Sequence, residues 1–240
     1  MLAENLVSTA SIRSFTDDSA DPRVRGFLHT PENPNNHALV LTHGAGSNAQ
    51  APLLIALADA FCTAGFTVLR CDLPYRQSRS YGPPGPADAA RDRAGLKNAI
   101  AAVNKILSGG PSMHSSRESG STYLGGHSYG GRQSSMLCAE EPDLVPGLLL
   151  MSYPLHPPRK TEQQRTQHLP SLRTPTLFVH GTRDPFGTIV EIEQALKMIP
   201  ARKKLLIVEG AGHDLGFKGK AKREELPRQI LSEFDQFIQP

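Results

Sequence analysis

The sequence predicts an α/β fold, a mostly parallel central sheet flanked by helices, and three observations carry that expectation. Short runs rich in Val, Leu and Thr alternate with longer segments whose apolar residues recur at helical spacing. The short runs are apolar throughout, as strands covered on both faces are. Strict alternation of strand and helix joins parallel neighbours through right-handed crossovers.

Along the chain, "SIRSF" and "VRGFLH", separated by "TDDSADP", form an opening antiparallel edge hairpin. The strands that follow are "HALVLTH" (37–43), "FTVLRCDL" (66–73), "STYLGGH" (121–127), "GLLLMSYPL" (147–155), "TPTLFVHG" (174–181) and "KKLLIVEG" (203–210). Helical spacing marks 52–65, 87–110, 131–141, 187–200 and 226–239. The Pro- and Gly-rich "YGPPGP" (81–86) and the polar "GGPSMHSSRESGS" (109–121) read as loops, not linkers, because periodic core segments resume after each. The expectation is one domain over residues 1–240 with no internal repeat.

Composition narrows the function. With 26 basic and 23 acidic side chains the net charge is only +3, which makes no electrostatic case for nucleic acid or an anionic membrane. The opening "MLAENLVSTASIRSF" lacks a basic cluster followed by an apolar run, and no segment approaches the ~20 apolar residues that span a bilayer. A cytoplasmic protein is expected. Cys62, Cys71 and Cys138 sit in apolar patterns without metal-ligand spacing, so buried, reduced thiols are expected.

In such a sheet, ligands bind beyond the carboxyl ends of the strands. There "Gly126-His127-Ser128-Tyr129-Gly130" matches a G-x-S-x-G nucleophile elbow, with an apolar strand before it and a helix after it. A serine on so sharp a turn has strained backbone angles, and strand and helix approach so closely that side chains at Gly126 and Gly130 would collide. The helix starting near Tyr129 also points N–H groups and its positive dipole end at whatever Ser128 attacks.

A hydroxyl is a weak nucleophile at neutral pH and needs a base, and the base needs an orienting acid. Asp184 follows the strand "TPTLFVHG" and His213 follows "KKLLIVEG", completing the order Ser, Asp, His. Asp214 is the competing acid, although a residue adjacent to the base more often points away from its Nδ1. For the oxyanion, the N–H of Tyr129 and the N–H of Ala45, in "His43-Gly44-Ala45-Gly46" after the first long strand, are the candidate donors. His43 and His127 are expected to pack rather than catalyse.

Taken together, "HGAG", "GGHSYGG", "HGTRDPFG" and "GAGHDLG", in this order, resemble a small serine α/β-hydrolase of the dienelactone-hydrolase-like kind, over essentially residues 24–240. The added "LRCDLPYR" (69–76) is similar to the subgroup that contains a testis-expressed protein and a scaffold subunit of a histone-acetyltransferase complex. Dienelactone hydrolases carry cysteine where this chain has Ser128, so their substrate does not carry over. "HGAG" also departs from the "HGGG" of hormone-sensitive-lipase-like esterases. In the added motif, Tyr75 and Arg76 are candidate substrate contacts, Arg76 for a carboxylate; the competing reading is an arginine that ties down its own loop.

The expected activity is cofactor-independent hydrolysis of a small carboxylic ester through an acyl-enzyme on Ser128. No metal or nucleotide motif is present. A peptidase like the prolyl oligopeptidases and a non-catalytic scaffold on the same fold are the competing readings. The interval "HPPRKTEQQRTQHLPSLR" (156–173) is short, polar and holds three prolines, so no sizeable lid is expected, only an open cleft with little apolar surface and a preference for short acyl chains.

Overall fold

The computed structural model describes residues 11–109, 120–217 and 225–239. In chain order the elements are β1 (Ser11–Asp17), β2 (Val24–Thr30), β3 (Ala38–Thr42), α1 (Pro52–Thr63), β4 (Thr67–Cys71), α2 (Pro74–Ser78), α3 (Asp88–Ser108), β5 (Thr122–His127), α4 (Tyr129–Glu140), β6 (Leu148–Met151), β7 (Thr176–Gly181), α5 (Ile189–Leu196), β8 (Lys203–Val208) and α6 (Leu226–Ile238). One eight-stranded sheet runs in the order β1-β2-β4-β3-β5-β6-β7-β8. The first two strands form the expected hairpin, β2 pairs antiparallel with β4, and all later pairings are parallel.

Every residue of β3 is buried, because helices cover both faces of the sheet and successive side chains point to opposite sides. Ala38 and Val40 face the cluster built with Leu96 and Ile100 of α3 and Leu137 of α4. Leu39 and Leu41 face Leu54 and Leu57 of α1 and Ile230 and Phe234 of α6. On that second face Phe234 meets Phe61 and Tyr123 edge to face, with centroids 5.7 and 5.3 Å apart. Cys62, Cys71 and Cys138 are buried free thiols, and burial raises the pKa of Cys71 to about 12.

Element ends differ from the sequence expectation where local chemistry overrides the apolar pattern. The strand expected over 147–155 stops at Met151: Ser152 N–H still donates to Val179 O at 2.8 Å, but its φ of 48° turns the chain out of the strand. The helix expected over 187–200 runs only Ile189–Leu196, set at its start by a capping box between Thr188 and Glu191. Helix α4 begins at Tyr129, two residues earlier than its apolar spacing shows, because glycines form its first turn. The five-residue α2 has no counterpart in the sequence expectation; one turn opened by Pro74 is too short to show a period. Of the loop expected over 109–121, residues 110–119 lie outside the described residues, as do residues 218–224. No helix among the described residues is long and apolar enough to cross a membrane.

Candidate active site

Between the end of β5 at His127 and the start of α4 at Tyr129 stands Ser128, whose backbone sits at φ 53°, ψ −118°. That conformation is costly for a residue with a Cβ and persists only where the surroundings impose it. They do so here by crowding. A Cβ on Gly126 would lie 2.5 Å from the nitrogen of Gly131, and one on Gly130 would lie 2.5 Å from the carbonyl oxygen of His43. Hydrogen bonds hold the turn from three sides: Ser128 N–H donates to Met151 O at 2.8 Å, Arg132 N–H to Ser128 O at 2.9 Å, and Gly130 N–H to His43 O at 3.1 Å.

The loops after β7 and β8 bring two more side chains to this point. His213 Nε2 lies 2.8 Å from Ser128 Oγ, and His213 Nδ1 lies 2.8 and 3.0 Å from the two carboxylate oxygens of Asp184. The Asp184 carboxylate is sealed from solvent, while the His213 side chain keeps 23% of its surface exposed. Asp184 is held by the Phe186 N–H, at 2.9 Å, and the Phe186 ring lies 4.1 Å from the imidazole of His213. Asp214 is placed otherwise: its Oδ1 accepts from Gly216 N–H, the turn after His213. His127 Nε2–H donates to the carbonyl of His213 at 2.7 Å, so the variable position of the elbow braces the backbone of the opposing loop.

Ala45 and Tyr129 line the same cavity as Ser128, and among the described residues no acceptor engages the N–H of either. Gly44 comes so close that a Cβ there would be 3.2 Å from the Cβ of Ser128. His43 is fully buried; its Nδ1–H donates to Gly44 O and its Nε2 accepts from Leu73 N–H, and burial lowers its pKa.

The substrate contacts expected at Tyr75 and Arg76 are corrected by the structure. Both are buried and neither lines the cavity, because their polar atoms are taken up by backbone carbonyls. Tyr75 Oη–H donates to Gly44 O and Ala45 O at 3.2 and 2.8 Å. Arg76 donates to Ser47 O, Ala45 O, Gly82 O and Arg79 O. Arginine ties down its own loop and the "HGAG" loop together. In a planar trans peptide the carbonyl of Gly44 and the N–H of Ala45 point opposite ways. Pinning Gly44 O on Tyr75 therefore turns Ala45 N–H away from Tyr75. Asp92, whose pKa burial raises, anchors the arrangement by accepting from Tyr75 N–H and Tyr129 Oη–H.

The cavity beside Ser128 measures about 720 Å³, within the ~300–1,000 Å³ usual for small-molecule sites. Its lining includes Leu53, Pro83, Pro84, Met136, Phe186 and Phe217, so the expectation of little apolar surface is also corrected. Among the described residues no lid helix stands between β6 and β7, where a single 3₁₀ turn forms at Leu169–Ser171. The apolar wall comes instead from the proline loop 81–86, the start of α1 and the turns after β7 and β8. Sequence reasoning missed these because such residues carry no periodicity and converge only in the fold. It also missed the polar wall of Arg132, Gln133 and Arg165.

The strand order, the helices on both faces and a serine elbow at the carboxyl edge define an α/β hydrolase. A family model described as Alpha/beta hydrolase domain matches residues 35–239, and the chain belongs to that family. Solved structures agree at the level of the fold. A dienelactone hydrolase from Anabaena variabilis superposes with a TM-score of 0.70 at 21% identity, covering 96% of this chain and 99% of that one. An α/β serine hydrolase homologue from Coxiella burnetii gives 0.69 at 16% identity over 92% and 96%. An α/β serine hydrolase without a lid from Xanthomonas campestris gives 0.64 at 14%, with 94% of both chains covered. Among curated proteins, polyketide synthase ThaQ of Burkholderia thailandensis is 50% identical over 48 residues, which are 20% of this chain and 2% of that protein.

Proposed function

We propose that the protein is a serine hydrolase that cleaves carboxylic esters of small molecules through an acyl-enzyme on Ser128, without a cofactor. The observation that carries this reading is the continuous hydrogen-bonded line from Ser128 Oγ through His213 to the buried Asp184. His213 Nε2 takes the proton of Oγ as the bond from Oγ to the acyl carbon forms, and Asp184 holds the imidazole in the tautomer that leaves Nε2 free to accept. The N–H groups of Ala45 and Tyr129 donate to the oxyanion of the tetrahedral intermediate. Collapse breaks the bond to the alcohol oxygen, which leaves with the proton from His213. Water then attacks the acyl-enzyme with His213 again as base, releasing the acid and restoring the serine hydroxyl.

Within the family we place the chain beside the testis-expressed protein and the acetyltransferase-complex scaffold that "LRCDLPYR" resembles, acting as one domain in the cytoplasm.

Labelling with a fluorophosphonate, and identification of the labelled residue, tests the reading. Ser128 should label, and Ser128→Ala should lose both labelling and hydrolysis of p-nitrophenyl acetate while its circular dichroism stays unchanged. Wild-type protein that never labels, or a Ser128→Ala protein that turns over at the wild-type rate, would leave the scaffold reading in its place.

A further inference from the structure

The cavity beside Ser128 also holds cationic and donor groups that the acyl-enzyme chemistry does not use. Arg132 and Gln133 stand one turn beyond Ser128 on α4, and Arg165 reaches the same cavity from the segment between β6 and β7. Nε of Arg132 is sealed from solvent and, among the described residues, has no acceptor. Gln133 is fully buried; its Oε1 accepts from Arg93 at 3.1 Å, and its Nε2 has no acceptor either. Arg165 donates through one Nη to Pro154 O at 3.1 Å.

Among the described residues no carboxylate comes within ion-pair distance of Arg132 or Arg165, and the nearby acid, Glu140, is taken by Arg93 at 3.0 Å. The acid lining the cavity among the described residues, Asp214, follows His213 and accepts from Gly216 N–H. The crowding of positive charge is felt by its neighbours. Burial and then Arg132 lower the pKa of Arg165, and burial followed by Arg132 and Arg93 pushes His168 down to about 4.

Two guanidinium groups brought to a partly desolvated wall without a carboxylate are unfavourable in the empty protein, and a ligand anion relieves both at once. Planar guanidinium forks match a carboxylate in particular. Apolar side chains, among them Met136, Pro84 and Leu53, line the rest of the same cavity. We infer that the substrate is an ester carrying a free carboxylate on an apolar stem, the carboxylate seated at Arg132 and Arg165 while the ester carbonyl meets Ser128. This rests on the hydrolase reading for the reaction, but the binding site does not depend on it.

Calorimetric titration of the Ser128→Ala protein with hexanoate and with hexanamide separates the two. Hexanoate should bind at least tenfold more tightly, and Arg132→Gln or Arg165→Gln in the same background should remove most of that preference. The loop variant Arg165→Gln leaves α4 intact, so the test survives if Arg132→Gln misfolds. In the wild-type protein, kcat/KM for mono-p-nitrophenyl adipate should exceed that for p-nitrophenyl hexanoate by a similar factor. Equal binding of acid and amide, or a preference that survives both substitutions, overturns the anion site. Selective hexanoate binding together with no turnover of either ester would keep the site and sink the hydrolase reading.

Discussion

Two carboxylates compete for Nδ1 of His213, and the structure separates them by geometry. Asp184 presents both oxygens within 3.0 Å, fixed by the Phe186 N–H, whereas Asp214 accepts from Gly216 N–H two residues on. Asp184→Asn should therefore lower kcat by about 10⁴, the size of the tautomer error in a serine triad. Asp214→Asn should lower it by less than about tenfold. Steady-state hydrolysis of p-nitrophenyl acetate by the two variants checks this, and the opposite ranking would exchange the roles. At this scale Ser128, Asp184 and His213 were legible in the sequence, because each follows an apolar strand and so reaches the carboxyl edge. Arg76 was not: its position after β4 is compatible with a ligand contact and with the four carbonyls it binds, and only the path of the neighbouring loops decides.

Helix α2 and the "HGAG" loop act as one element. Tyr75 reaches across to two consecutive carbonyls, Gly44 O and Ala45 O, and through Gly44 O helps set the plane of the peptide that presents Ala45 N–H. Its hydroxyl is not itself available as an acid or base, since burial raises its pKa to about 12. Tyr75→Phe keeps the ring that packs edge to face on Tyr129 and removes only the two hydrogen bonds. We expect kcat to fall between about tenfold and hundredfold, as small misplacements near reacting groups do, with KM changed less than about twofold. A fall in KM alone, or no change in either constant, would show that the loop holds its shape without the hydroxyl. Long elements were legible by their periods. Helix α2 was not, because five residues cannot display one, and the end of β6 was not, because the apolar run continues past Ser152 where the backbone turns.

Acid should loosen the whole molecule before most carboxylates titrate. His29 and His168 both have pKa values lowered to about 4, first by burial and then by nearby arginines. For His29 the contact with Asp59 at 3.4 Å would favour the charged form, but the imidazole is 1% exposed and Asp59 faces water, so burial wins. Its Nε2 also accepts from Arg70 Nε at 2.8 Å, which requires a bare nitrogen. In the unfolded chain both histidines titrate near ~6.5. The stabilisation is complete above that value. It is lost as pH falls toward about 4, since the unfolded chain then binds protons the native state refuses. Each tenfold loss of proton affinity on folding is worth ~1.4 kcal/mol, so the two residues together remove several kcal/mol. Urea midpoints at pH 7.5, 6 and 4.5 should fall steadily, and His29→Gln should flatten the slope. A midpoint constant across that range would contradict the burial argument.

The sequence by itself determined the class of fold, the alternation that makes the sheet parallel, and the three residues that stand at the ends of β5, β7 and β8. Those properties are local: an apolar run, a glycine-bounded serine, and an acid or imidazole placed directly after a strand. Only the tertiary structure decided which carbonyls Tyr75 and Arg76 serve, and that the proline loop 81–86 closes an apolar cavity. It also decided that Arg132 and Arg165, 33 residues apart, line one cavity, where among the described residues no carboxylate pairs with either. Each of these depends on loops that converge at the carboxyl edge from distant parts of the chain. Convergence leaves no period or motif in the sequence, because the partners are chosen by packing across the sheet and not by spacing along the backbone.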